Sequence, residues 1–180
     1  MKLSPQNSTL WGEWALVLYD VLGQPQESYE KILHAISLDE EYTFTQGLAG
    51  DYWSRQGRAA EDPEEKKEAF ERAKEYYLRA AAVAKGSETT YKTTYLIGLG
   101  NVSIELGDLD SAISAFEQAV KSASGNSDVW RIEETIARLY LQTGDALNAE
   151  THAQAALSGA PDDQSARIQD LIAQIKTGSQ

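Results

Sequence analysis

The chain has 180 residues, enough for one domain or one elongated array with a sizeable core. Its formal net charge of −12 argues against generic nucleic-acid binding and against docking on anionic lipid, since both need clustered Lys and Arg; acidity keeps such a chain soluble and suits a basic partner. With no cysteine there is no disulfide framework or thiol chemistry, and no run of about 18 uncharged apolar residues offers a membrane span.

Residues 2–8 form a polar start with Pro5 and Ser8 as helix-start signals. They lack the basic start, clean apolar region and cleavage site of a signal peptide, and the apolar stretch 14–23 carries Asp20, with Glu13 just before it. A first helix is predicted over 9–22, with Trp11, Trp14, Ala15 and Leu18 at i, i+3, i+4 and i+7. Gly23 and Pro25 break it. A second helix over 26–38 turns Tyr29, Ile32, Leu33 and Ile36 inward, with Ser28 and Ala35 at small-residue positions.

The next unit copies the first at an offset of 34, Ala15, Tyr19 and Gly23 recurring as Ala49, Trp53 and Gly57. A third helix is therefore predicted over 42–56, ended by Gly57. The charged insertion 58–68 interrupts the pattern. Asp62-Pro63 reads as an N-cap and first helical residue, so a fourth helix is predicted over 63–85, stopped by Gly86, with Ala73, Tyr77 and Ala80 inward. In its added turns Glu64 and Glu68 repel mildly and Glu68 pairs with Arg72.

Ser87 is the predicted cap of a fifth helix over 88–106, and a sixth covers 109–122. Residues 124–127 are a loop. A seventh helix over 128–143 faces Ile132, Ile136, Ala137 and Tyr140 inward, and Gly144-Asp145 turns the chain. An eighth over 146–158 places Ala149, Ala153 and Ala156 on one face. After Pro161, Asp162 caps a ninth helix to about residue 176, with the stripe Ile168, Leu171, Ile172 and Ile175, and residues 174–180 fray.

The stretch 94–119, TYLIGLGNVSIELGDLDSAISAFEQA, organises this series. Leu96, Leu99, Gly100 and Ser103 follow helical spacing, Gly107-Asp108 stops the helix, and Ala112, Phe116 and Ala119 share one face of the next. Gly100 lets a neighbouring helix approach closely beside Leu99, and Gly107 supplies the positive φ of a helix end. The pattern resembles a tetratricopeptide repeat, a 34-residue helix–turn–helix unit. The resemblance covers approximately 9–41, 42–86, 88–124 and 128–161, with a capping helix at 162–176. The fourth unit carries it through Ala137, Tyr140, Gly144, Ala149, Ala153, Ala156 and Pro161. The first two depart, because their glycines fall one residue late relative to Trp14-Ala15 and Leu48-Ala49, and Glu40 stands where the family has proline. The implied fold is an all-α, right-handed α–α superhelix of about nine helices.

Little else in the chain points to chemistry. His34 and His152 have no metal-ligand spacing around them and are expected exposed on polar helix faces. No nucleophile elbow or phosphate loop is present, and Gly98-Leu99-Gly100 sits mid-helix, where close packing explains it. Asn7-Ser8-Thr9 and Asn101-Val102-Ser103 match a glycosylation sequon, which matters only with secretion. Trp11, Trp14, Trp53 and Trp130 are expected to pack between helices. No catalysis, cofactor or metal is expected.

The resemblance also implies that the first helix of each repeat lines a concave groove. That points to Asp51 and Arg55, to Thr94, Ile97, Asn101 and Glu105, and to Arg131, Glu134, Arg138 and Gln142. The competing reading is a solvated face on which Glu134 pairs with Arg131 and Arg138 of its own helix. A clamp for a peptide's terminal carboxylate, known in one branch of the family, would suit Asn101 and Arg138 but not Glu13 and Asp51, whose charge is wrong. The expected function is a non-catalytic scaffold holding a protein or peptide segment in the groove. The alternatives are a self-assembling module, or the repeat domain of a larger bacterial membrane-associated assembly or polysaccharide-polymerising protein, whose tails resemble this chain in their Trp-rich opening repeat. A cytoplasmic location is the expectation.

Overall fold

A computed structural model describes residues 6–85, 89–123 and 128–178. The Gly86 stop, the Ser87 cap and the 124–127 loop fall outside them. Among the described residues the chain forms nine α-helices and no strand: α1 Ser8–Leu16, α2 Pro25–Leu38, α3 Thr43–Ala59, α4 Pro63–Val83, α5 Thr89–Glu105, α6 Leu109–Ser122, α7 Val129–Gln142, α8 Ala146–Gly159 and α9 Asp162–Gly178. Local chemistry sets many of these boundaries. Asn7, Asp62, Asp108 and Asp145 accept backbone N–H bonds as N-caps, and Pro25 and Pro63 occupy first-turn positions where a missing N–H costs nothing. Gly23, Gly107 and Gly144 take positive φ at the turns.

Helices pack in antiparallel pairs, α1 with α2, α3 with α4, α5 with α6 and α7 with α8, each pair stacking on the next in a right-handed superhelix closed by α9. The largest core lies in the middle, where Phe70, Tyr77, Leu96, Leu99, Phe116 and Ile136 are buried together. Burying one such large side chain contributes roughly 1.5–3 kcal/mol. A smaller cluster around Ala15, Ile32, Leu48 and Tyr52 joins the first two pairs. At the other end Ala137, Ala149 and Ala153 receive Leu171 and Ile175, while Trp130 and Ala156 receive Ile168. The predicted stripe of α9 is thus the face that covers the last pair.

The first two pairs depart from expectation. The predicted first helix is α1 followed by a π-helical turn, Val17–Val21, in which Leu22 N–H reaches Val17 O at 3.1 Å. At Gly107 and Gly144 the next residue donates to the carbonyl five back, Asp108 to Ser103 and Asp145 to Tyr140, each at 2.9 Å. At Gly23 the donor Gln24 reaches six back, to Leu18 at 2.8 Å, which accounts for the late glycine of the first unit. Gly57 is not a turn. The third helix runs on to Ala59, and a Cβ on Gly57 would stand 2.8 Å from the buried Phe70 ring, so this glycine makes room for α4. Trp14 and Leu33, expected inside, are 46% and 43% exposed, because α1 turns Gly12 and Ala15 toward the core, the π-helical turn adds Leu18, and α2 uses Ser28, Ile32 and Ala35.

His152 is a further correction. It is not a solvated surface residue: its ring stacks on Tyr140 and its Nδ1 lies 2.6 Å from Glu133 Oε2. His34 is exposed, edge-on to Trp11. The charged insertion is exposed as expected, except that its first two residues, Arg58 and Ala59, complete α3.

Candidate protein-binding groove

Asp51, Arg55 and Arg58 stand at i, i+4 and i+7 on α3, and Thr94, Ile97 and Asn101 at i, i+3 and i+7 on the neighbouring α5. These two rows enclose an open cavity of about 300 Å³, with Tyr77 of α4, Ser54 and Gly98 completing its lining. Five of the sequence-predicted residues, Asp51, Arg55, Thr94, Ile97 and Asn101, therefore share one cavity.

Its electrostatics are mixed. Tyr77 donates a hydrogen bond to Asp51 Oδ1 at 2.7 Å. Burial pushes the Asp51 carboxyl above its usual range, and the Tyr77 bond and the charges of Arg55 and Arg58 offset this only in part. Burial and the facing Asp51 likewise push the Tyr77 phenol up. Arg55 is held in place, its Nη1 2.6 Å from Asp20 Oδ1 and its guanidinium over the Tyr19 ring at 4.6 Å. Arg58 has no ion-pair partner among the described residues. Sequence reasoning misses it because it falls at the start of the charged insertion; the signal that finds it is its helical spacing from Asp51 and Arg55.

The other predicted residues do not line this cavity. Glu105 lies at the far end of α5, 3.8 Å from Lys66. Arg131 pairs with Asp128 at 3.4 Å and lies over the Trp130 ring, rather than pairing with Glu134. Glu134 is only 5% exposed and accepts from Arg138 at 2.9 Å and from Arg167 of α9 at 2.7 Å. It is a fixed counter-ion between α7 and the capping helix. Gln142 is exposed at the end of α7.

Sequence profiles of tetratricopeptide repeats match residues 103–175 and 65–127, together well over half of the chain. The chain belongs to the tetratricopeptide repeat family. No curated protein sequence matches it significantly. Among solved structures, this tetratricopeptide repeat protein is similar to YrrB, described as having an unusual peptide-binding site, with 14% identity, TM-score 0.71, and coverage of 97% of this chain and 78% of that one. It is similar to PilF of Pseudomonas aeruginosa at 16% identity and TM-score 0.66, covering 97% and 75%. Its similarity to a thermophilic tetratricopeptide repeat protein of Thermus thermophilus is 23% identity at TM-score 0.64, covering 97% and 82%. At these identities the likeness is one of fold.

Proposed function

We propose that this chain is a non-catalytic scaffold that holds a segment of a partner protein in the groove between α3 and α5. Tetratricopeptide repeats serve generally as protein-interaction scaffolds. The single observation that carries the reading to this place is the cavity of about 300 Å³ in which Arg58, with no ion pair among the described residues, Asn101 and Ile97 offer a cation, an amide and an apolar surface side by side. A few polar groups around an apolar surface are what fixes a bound segment's orientation. The peptide-binding site described for the structurally similar YrrB is consistent with this use of the fold.

The test is a pull-down with the intact protein carrying Arg58→Glu or Asn101→Arg, beside Gln118→Arg on the exposed side of α6. Partners retained by the wild type and by Gln118→Arg should be lost by both groove variants. Retention of the same partners by Arg58→Glu and Asn101→Arg would refute the groove.

A further inference from the structure

A second cavity, of about 430 Å³, opens between α3 and α4 on the side of the first helix pair. Tyr29, in the first turns of α2, meets Tyr76 in the second half of α4, their hydroxyls 3.3 Å apart. The first turns of α4 therefore have no counterpart in α2, and they project with the end of α3 beyond the helices of the first pair. Trp53 and Gln56 on α3 and Glu65, Glu68 and Arg72 on α4 line the space left uncovered. It is distinct from the groove, and it exists because α4 is long.

We infer that this cavity is a binding site for an arginine- or lysine-bearing segment of a partner. The protein already places a guanidinium there. Arg72 lies 4.4 Å from the centre of the Trp53 ring while pairing with Glu68, so the aromatic wall and a carboxylate together hold a cation. Glu65, one turn earlier on the same stripe, has no ion-pair partner among the described residues. A second cation entering the cavity finds Glu65 as counter-ion, and the face of Trp53 opens to it where Arg72 gives way. The net charge of −12 draws basic segments to the chain and opposes occupation by a second copy.

The probe is the blocked peptide acetyl-Gly-Arg-Gly-Arg-Gly-amide, with its Glu analogue as the reference, titrated into the full chain while the indole N–H of Trp53 is followed by NMR. That N–H donates to the Tyr29 hydroxyl at 3.0 Å and reports directly on the wall. The Trp53 signal should shift saturably with the Arg peptide and not with the Glu peptide. Glu65→Gln should weaken Kd by about two- to five-fold, the range for one exposed ion pair, while Glu75→Gln, an equal charge change beyond the cavity, leaves it unchanged. Arg72→Ala, which vacates the ring, should tighten binding relative to Arg79→Ala. Equal weakening by Glu65→Gln and Glu75→Gln, shifts without saturation, or saturation at Asn101 in the groove instead of Trp53 would each overturn the site.

Discussion

Gly100 lies against the ring of Phe116. A Cβ built on it would stand 2.6 Å from Phe116 Cζ and 2.7 Å from Cε2, closer than such contacts ever come, and the ring is itself buried in the largest core. Gly→Ala within a helix normally gains up to about 1 kcal/mol. Here overpacking costs about 1–3 kcal/mol and reverses the sign. Gly100→Ala should lower the melting temperature, and Gly100→Leu should lower it further. Gly47→Ala should be worse than Gly100→Ala, since its Cβ would fall 1.9 Å from Tyr95 Cζ. A Gly100→Ala protein that melts with the wild type would refute the close approach of α5 and α6.

Asp108 makes acid stability measurable. The Lys74 ammonium, 2.6 Å from Asp108 Oδ2, and then the Ser111 hydroxyl and N–H, lower its carboxyl from 3.8 to about 2. A carboxyl lowered in the folded state contributes stability above its unfolded value and loses it as pH falls through the folded one. The loss should therefore run between about pH 4 and pH 2. Asparagine caps a helix almost as well as aspartate, so Asp108→Asn removes the charge while sparing the cap. Urea unfolding at pH 4, 3 and 2 should show a shallower decline for Asp108→Asn; parallel declines would exclude the Lys74 pairing as the cause.

Glu134 ties the capping helix to α7. Removing it strips two arginines of a buried acceptor, and Glu134→Ala should cost about 2 kcal/mol, less than the roughly 3–5 kcal/mol of a fully buried broken pair, because both arginines left behind are half exposed. The readout is hydrogen exchange. Amides of α9 should lose protection in Glu134→Ala and Arg167→Ala but not in Arg138→Ala. Protection unchanged in Arg167→Ala would assign the docking of α9 to Ile168, Leu171 and Ile175 alone.

The charged linker should be dispensable for stability. Replacing residues 60–68 by a short Gly-Asp-type turn, with Arg58 kept, should cost about 1 kcal/mol or less. Those residues are nearly all exposed, and the Lys66–Glu105 contact at 3.8 Å joins two exposed groups, a pairing worth about 0–1 kcal/mol. Thermal unfolding decides: a large loss would mean that these turns are packed rather than projecting.

The later helices were legible where a signal is local. Gly107 followed by Asp108, and Gly144 followed by Asp145, announce a positive-φ stop and an N-cap in adjacent residues, so the starts of α6 and α8 fall where the sequence places them. Gly57 misled because a glycine in sequence does not reveal whether the backbone needs its φ or a neighbour needs its space; here Phe70 needs the space. Glu134 was legible as a helix-face carboxylate, but its burial depends on Arg167, far along the chain. Five groove residues converge because helical spacing and the resemblance to the repeat family agree there. Trp14 was misplaced by a rule that weighs bulk, whereas α1 packs through Gly12 and Ala15, next to Phe44 and Leu48.

The π-helical turn at Val17–Val21 has a consequence for how the array tolerates change. One extra residue in an α-helix would rotate everything after it by about 100°. The widened turn takes up that rotation before Gly23, so Ser28 still reaches back to Ala15 O at 2.7 Å and α2 leaves at an angle that α3 can accept. What is passed from one hairpin to the next is an angle, not a residue count. The first joint therefore works as a phase corrector for the one residue by which its glycine falls late.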